Sequence, residues 1–325
     1  MSEEYSVRAK LWRPGKAPEE LDEAEALAQA RSEQKGVLWV RVTAHDVDAT
    51  ATLLTDSLGF HPLAVEDVFS PQERPALQEY PDTLFLVAPV VTPDPRIELY
   101  HPVGFFVGPS SLVTVTHGGV PVLDRRFDEW LARSEDTAWS PPALLHVLLD
   151  AIVDEYFPAS DRIEEEIDGL EDSVYQSSRL DIAEALRIKR RILEIRRHIA
   201  PIRDILNSLL RRDVALVPLD AKPYFQDVYD HALRLTETVD LNREILTGVL
   251  DAQLAVVSNN LNVVMRFMTA IATILMSMAL IAGVYGMNFV HMPELQWRWG
   301  YAFAWGVMAS IAGLEVWYFR RRGWW

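Results

Sequence analysis

The chain of 325 residues contains no cysteine, which excludes disulfides and thiolate metal sites and leaves a reducing compartment open. Residues 1–5 are polar and acidic, so we expect no signal peptide and a large domain that is not exported. The sequence has no phosphate-binding loop motif, and its formal net charge is −16. We therefore expect neither a nucleotide nor a nucleic acid as a partner. No recognisable catalytic set is present either, and we expect no enzymatic activity.

Proline is absent between Pro223 and Pro293, and the glycines in this stretch stand only at positions 248, 283 and 286. Nothing in the sequence therefore stops one helix from running over residues 224–284. At a rise of ~1.5 Å per residue, such a helix is roughly 90 Å long.

Long apolar runs are also few, and both lie in the last 60 residues. The run over residues 267–284 has no charge, and the run over 300–319 carries a single acid, Glu315. Each run is long enough to cross a bilayer once. Glu315 lies about one turn from Arg320, and we expect its side chain to snorkel to the membrane interface.

The flanking charges predict the orientation of these two spans. Arg266 precedes the first span and residues 320–322 are all arginine, whereas the connecting loop has one base, Arg298. The positive-inside tendency then places both termini in the cytoplasm and the loop outside, in an inner (plasma) membrane.

The part before the spans divides by its pattern. Runs rich in β-branched and aromatic residues predict four strands, over 36–42, 83–91, 98–107 and 112–116. Helical patterns occur between and around them, over 46–58, 62–69 and 121–133. A helix rich in acids, 143–175, and one rich in bases, 180–212, follow. Ion pairing between these two arms and separate solvation of each remain equally open, because exposed pairs contribute little.

We predict an α+β cytoplasmic domain followed by long helices and two C-terminal transmembrane helices. The predicted ranges are an α/β domain at 1–140, a helical hairpin with acidic and basic arms at 141–220, a long pore-lining helix at 221–288 with its first span at about 265–285, an outer loop at 289–299, a second span at 300–319 and a basic-aromatic tail at 320–325.

The long helix has a stripe of small, polar and methionine residues at steps of seven. Its two series are Asp251, Ser258, Met265, Ala272, Ala279, Gly286 and Ala255, Asn262, Thr269, Met276, Gly283. A packing face between helices is the commoner meaning of such a stripe. A ring of helices enclosing a polar path is the alternative, and it requires several copies of the chain.

Two segments around the outer loop carry a resemblance. Tyr285-Gly286-Met287-Asn288 and then Met292-Pro293-Glu294-Leu295, followed by a second span and a basic-aromatic tail, resemble the CorA family of divalent-cation channels. Residues 61–67 and 224–231 also match family segments, so the resemblance covers most of the chain.

The resemblance implies a funnel-like homopentameric channel in the lipid bilayer that transports Mg²⁺, with Co²⁺ and Ni²⁺ as possible surrogates. By position it assigns two sets of residues. The pore and selectivity set is Gly286, Met287, Asn288, Met265, Met268, Met276, Asn262 and Asp251. The regulatory metal set is Asp67 and Asp227 between subunits, with Glu66 and Asp150 as neighbours or as a second site.

The chemistry of the mouth suits Mg²⁺, which releases its water reluctantly. A ring of Asn288 amide oxygens can accept hydrogen bonds from the hydrated ion, and Glu294 in the loop can raise the local cation concentration. Two alternatives stay open. One is a zinc transporter of the same superfamily, and the other is a membrane-anchored Mg²⁺ sensor that does not conduct.

Overall fold

The structure is a computed structural model that describes residues 4–30, 35–70, 77–92, 99–130, 139–177, 180–212, 214–289 and 292–324. It divides into two compact units. Unit 1 comprises Met1–Glu171 and Asp181–Thr247, and unit 2 comprises Asp172–Leu180 and Gly248–Trp325. The predicted domain boundaries remain a prediction.

Unit 1 is built on a sheet that has seven strands within the described residues, in the order β2-β1-β3-β7-β6-β5-β4. The strands are β1 Tyr5–Trp12, β2 Glu19–Leu21, β3 Val37–Ala44, β4 Leu77–Tyr80, β5 Thr83–Thr92, β6 Leu99–Val107 and β7 Ser111–His117. The β3–β7 pair is parallel and the other pairs are antiparallel. Both edge strands are short, with three residues in β2 and four in β4.

The four predicted strands are confirmed as β3, β5, β6 and β7, whereas β1, β2 and β4 were missed. In β1, Arg8 and Lys10 alternate with apolar residues, which is the period-two signal of a strand. Lys10 is buried, and its ammonium donates to the carbonyl oxygen of Phe127 at 2.6 Å. Burial lowers its pKa, and nearby acids oppose that shift.

Five helices of unit 1 precede its long ones. They are α1 Glu23–Ala30, α2 Val47–Thr52, α3 Pro62–Phe69, α4 Pro121–Glu129 and α5 Pro141–Asp154, and a π-helical turn at Leu53–Ser57 extends α2. The buried faces of the sheet and helices form the core, where Trp39 meets Phe127 and Trp130 edge to face. Such aromatic pairs stabilise by about 0.5–1.5 kcal/mol each beyond their area burial.

The prediction of one helix over 143–175 was wrong. The chain forms α5 and then α6 Tyr156–Ser177, with a break at Glu155. Pro158 explains the break, because proline lacks an N–H and its ring clashes with the carbonyl four residues earlier, at Asp154. Tyr156 fixes the start of α6, since its buried hydroxyl donates to the carbonyl oxygen of Pro89 in β5 at 2.7 Å.

Three further helices complete the described chain. They are α7 Ile182–Arg211, α8 Lys222–Tyr285 and α9 Gly300–Arg321, with a short 3₁₀ turn at Pro293–Gln296. The single long helix and the second apolar helix are confirmed, and both are long and apolar enough to cross a membrane. The unit boundary at Gly248 falls inside α8.

Both readings of the charged hairpin have support. Arg191 of α7 joins Glu166 of α6 through both carboxylate oxygens, at 2.5 and 2.6 Å. Arg196 instead pairs with Asp240 of α8 at 3.1 Å, and other acids of α6 are exposed. The two arms are therefore partly paired and partly solvated.

Candidate functional site

The long helix α8 has two sections with different surroundings. In residues 222–249, which we name the covered section, every third or fourth residue is buried: Phe225, Val228, Ala232, Leu235, Val239, Asn242, Leu246 and Val249. This spacing places them on one face of the helix. In residues 250–285, named the bare section, Ala270 is the single buried residue, and the structure describes every position there.

The covered section contributes one side chain to a cluster that could hold a metal ion. Asp150 and Asp154 lie one turn apart on α5, and His231 approaches them from α8. One ligand atom from each lies within 4.8 Å of the others. His231 Nδ1 and Asp150 Oδ1 are 3.6 Å apart, and Nδ1 is buried without a hydrogen-bond partner among the described residues. Two carboxylates and an imidazole suit Co²⁺, Ni²⁺ or Zn²⁺ as well as harder ions.

The electrostatics of this cluster favour an added cation. Burial raises the pKa of Asp154, the charge of Asp150 raises it further, and His231 opposes the shift. Burial also lowers the pKa of His146, against the charges of Asp150 and Asp227. A cation placed beside the Asp154 carboxyl would oppose the charge of Asp150 and favour the ionised form of Asp154.

Asp67 lies outside this cluster, on α3. His61 caps that helix by accepting from the Leu63 N–H at 3.3 Å, and Pro62 occupies the first turn. Gln78 Nε2 donates to Asp67 Oδ2 at 2.7 Å, and the Tyr80 hydroxyl donates to Gln78 Oε1 at 2.6 Å. This chain of hydrogen bonds orients the Asp67 carboxylate. Burial raises the pKa of Tyr80, and the charge of Asp67 adds to that shift.

The structure brings some of the predicted regulatory residues together and separates others. Asp150 joins the cluster, while Glu66 and Asp227 are exposed. No hydrogen bond or ion pair joins Asp67 to Asp227 within the single described chain. Asp154 and His231 were not assigned a metal role from sequence. The signal for them was their spacing of four residues from Asp150 and Asp227 on their helices.

The predicted pore residues of the bare section are all exposed. Met265, Met268 and Met276 are 64%, 61% and 72% exposed, and Asn262 and Asp251 are exposed as well. Large apolar side chains with nothing of their own chain over them mark a surface that lipid or another protein covers.

The other side of the bare section faces α9. The Ser277 hydroxyl donates to Glu315 Oε1 of α9 at 2.6 Å. Ala270, Ile274 and Ile281, which are buried or partly buried, share the side of Ser277. The stripe through Met265, Ala272, Met276 and Gly283 lies on a different side, since successive residues turn by about 100°.

The predicted snorkelling of Glu315 was wrong. Its carboxylate bonds to Ser277 on the neighbouring helix, and its Oε2 is buried, whereas Arg320 is exposed. The Ser277 hydroxyl offers the Glu315 carboxylate a hydrogen bond inside the hairpin, so the side chain does not extend to the membrane interface.

The helix α8 ends at Tyr285, directly before the Gly286-Met287-Asn288 segment. The Gly286 N–H still donates to the Ala282 carbonyl oxygen at 2.9 Å. A Cβ at Gly286 would lie 3.2 Å from that oxygen, which is a tight contact. Glycine therefore suits the position where the chain leaves the helix. Asn288 follows as an exposed side chain beyond the helix end. The Glu294 side chain lies outside the described residues, and its predicted role stays a prediction.

Comparison with known proteins gives consistent results. A family model described as CorA-like Mg²⁺ transporter protein matches residues 34–321. The chain is 35% identical over 294 residues to the cobalt/magnesium transport protein CorA of Thermotoga maritima, covering 88% of this chain and 83% of that protein.

Solved structures share the fold. The complete structure of the CorA magnesium transporter from Methanocaldococcus jannaschii superposes with a TM-score of 0.82 at 21% identity, covering 98% of each chain. The full-length CmaX protein superposes with a TM-score of 0.78 at 18% identity, covering 99% of this chain and 98% of that one.

Proposed function

We propose, because the chain belongs to the family of CorA-like Mg²⁺ transporter proteins, that it carries hydrated divalent cations across the plasma membrane. Mg²⁺ is the proposed main substrate, and Co²⁺ and Ni²⁺ are proposed as further ones. The observation that carries the proposal is the bare section of α8, whose exposed stripe ends at Gly286-Met287-Asn288.

The proposed assembly is a homopentamer with both termini in the cytoplasm. Two spanning helices per chain cannot enclose a path, so several copies must contribute their stripes to one ring. The stripe lies away from the α9 side of α8, which supports an inner ring of α8 helices with α9 outside. Light scattering of the detergent-solubilised protein would measure the number of copies.

In this arrangement Asn288 binds the hydrated ion at the outer mouth. Its amide oxygen accepts hydrogen bonds from the water shell, so the ion enters without losing its waters. Glu294 would concentrate cations there. Met265, Met268 and Met276 line an apolar constriction that closes by dewetting, and Asn262 and Asp251 supply polar positions further in.

The membrane potential supplies the driving force. It contributes ~2.3 kcal/mol per elementary charge per 100 mV, and a divalent ion gains about twice that. Neither a nucleotide nor a catalytic step is required.

Cytoplasmic Mg²⁺ closes the path in this proposal by binding between subunits at Asp67 and Asp227, with Glu66 nearby. The cluster of Asp150, Asp154 and His231 forms a second site on each chain, and its imidazole suits Co²⁺ or Ni²⁺. A bound ion would offset repulsion between carboxylates and stabilise the closed arrangement.

The decisive measurement is Mg²⁺ flux into liposomes that contain the purified protein, with a potential imposed and a Mg²⁺ indicator inside. We expect flux that Co²⁺ and Ni²⁺ compete for. Stronger uptake of Zn²⁺ than of Mg²⁺ would favour the zinc-transporter alternative. Silent liposomes with a folded oligomer would favour a sensor that does not conduct.

The gating part has its own test. In the double variant Asp67→Ala and Asp227→Ala, flux should persist at Mg²⁺ concentrations on the cytoplasmic side that stop the wild type. Asp48→Ala with Asp230→Ala removes two other acids and serves as the matched control. Equal inhibition in both double variants would reject the Asp67–Asp227 site.

A further inference from the structure

Ser277 and Glu315 form a polar pair between the two spanning helices that the proposed ion path does not use. Ser277 Oγ and Glu315 Oε1 are 2.6 Å apart. Glu315 Oε2 is buried and has no hydrogen-bond partner among the described residues. Glu315 is also the only acid in residues 300–319. An ionisable group in such a place is expensive and calls for a functional explanation.

The other hydroxyl groups of this hairpin behave differently. Thr269 and Thr273 of α8 donate to carbonyl oxygens of α8 itself, at 2.8 Å each, and Ser310 donates within α9 at 2.7 Å. Back-bonding to the preceding turn is the usual state of a serine or threonine inside a helix. Ser277 instead bonds across to α9, so this hydrogen bond fixes one helix against the other.

The position of Ser277 determines what that hydrogen bond controls. Met276, its neighbour, lies on the exposed stripe and is 72% exposed. Adjacent residues of a helix point about 100° apart. Holding Ser277 against α9 therefore fixes the rotation of α8 that turns Met276 away from α9.

We propose that Glu315 is a positioning residue for the ion path, and that it holds Ser277, and through it the Met276 face of α8, by the hydrogen bond between the two helices. The ion path rests on the proposed function, whereas the rotation of α8 does not.

The nearby bases have other surroundings and do not explain the position of Glu315. On α9, Arg320 is exposed, Arg321 stacks over Trp317 at 5.3 Å, and Arg322 lies over Tyr318 at 5.5 Å. On α8, Arg266 stands eleven residues before Ser277, or ~16 Å along the axis.

The test uses the absence of cysteine, which permits single spin labels in an otherwise native chain. Labels are placed at Met276→Cys or at Leu275→Cys in reconstituted full-length protein. Collision with an aqueous nickel complex and with lipid-soluble oxygen is measured for each. The ratio between the two positions reports the rotation of α8 whether or not the protein conducts.

In Glu315→Leu and in the milder Ser277→Ala, we expect the aqueous preference of position 276 over 275 to fall about fivefold, the ratio equivalent to losing ~1 kcal/mol. Glu315→Gln keeps a neutral acceptor for Ser277 and should restore the wild-type ratio. Thr273→Val, one turn away, is the control and should change nothing.

An unchanged ratio in both Glu315→Leu and Ser277→Ala would overturn the positioning role. A protein that passes no Mg²⁺ but shows the expected ratios would reject the proposed function and keep this inference.

Discussion

The covered and bare sections of α8 belong to one uninterrupted helix, yet they meet their surroundings in opposite ways. Leu235 in the covered section is fully buried by its own chain, whereas Leu275 in the bare section is 60% exposed. Both are leucines in a helix with no proline after Pro223. Local helix propensity therefore does not distinguish the two sections. They differ in whether other parts of the chain pack against the helix.

The difference shows which part of the helix is complete within one chain. The covered section buries a regular face in unit 1, as helices of globular proteins do. The bare section presents apolar side chains on several sides, which a lone chain in water could not tolerate. In the proposed assembly, lipid and neighbouring copies cover these side chains.

The largest expected effect is on the free energy of unfolding, and it is tested with one leucine from each section. Leu235→Ala removes buried methyl groups and should lower the free energy of unfolding by about 2–5 kcal/mol. Leu275→Ala should change it by no more than about 0.5 kcal/mol, as at exposed sites. Thermal unfolding of the detergent-solubilised protein measures both. A loss at Leu275 as large as that at Leu235 would mean that neighbouring copies pack there as tightly as a core.

The next prediction tests the end of the bare section. If Asn288 forms the proposed ring, Asn288→Ala should lower Mg²⁺ flux at least about tenfold, equivalent to ~1.4 kcal/mol, because that ring would lose its carboxamide acceptors. Flux into liposomes is the measurement. Asn260→Ala is the matched control, since Asn260 is an exposed amide of α8 away from the stripe. Equal losses in both variants would argue against a special role for Asn288.

A third prediction concerns the covered section, where His231 meets Asp150 and Asp154. The pKa of Asp154 is raised by burial, so this carboxyl gains its proton at a higher pH than an ordinary aspartate does. Co²⁺ affinity should therefore begin to fall at a higher pH on acidification. Asp154→Asn should remove this dependence and cost about 1 kcal/mol, or about fivefold, at neutral pH. Calorimetric titration of the full-length protein measures it, and an unchanged pH profile in Asp154→Asn would exclude Asp154 as a ligand.

The smallest effect is on stability in mild acid. His198 stacks on Tyr100 at 3.8 Å between ring centroids, and burial lowers its pKa. Its folded pKa lies below the unfolded value, so its contribution to stability is present above about pH 6.5 and is lost as pH falls through the folded pKa. The melting temperature should drop less steeply between pH 7 and 5 in His198→Phe. A slope equal to that of the wild type would assign the acid sensitivity to other groups.

Much of the fold follows from local patterns in the sequence. Strands β3, β5, β6 and β7 are rich in β-branched and aromatic residues, and α8 has no proline after Pro223 in its first turn. Strand β1 was missed although Arg8 and Lys10 alternate with apolar residues in it. The burial of Lys10 goes with a hydrogen bond to the Phe127 carbonyl, 117 residues away. A contact at that separation leaves no local signature.

The candidate site was predictable to a similar degree. The methionines and Asn288 were assigned from their position near an apolar span and from resemblance to a family, and their roles stay a prediction. The cluster of Asp150, Asp154 and His231 depends on the packing of α5 against α8. The spacing in the sequence shows the polar row on each helix but not that the two rows meet. The bond between Ser277 and Glu315 spans 38 residues of helix and loop, and rotation of α8 decides it.

The short edge strands of the sheet have a consequence for assembly. Strands β2 and β4 offer three and four residues at the two margins. In the proposed ring of identical chains, tethering would raise the effective concentration of their sheets to roughly millimolar. Long exposed edge strands at such a concentration would favour strand pairing between subunits and aggregation. The short edge strands leave few free backbone groups for such pairing, so the sheets of neighbouring copies can lie close together without joining.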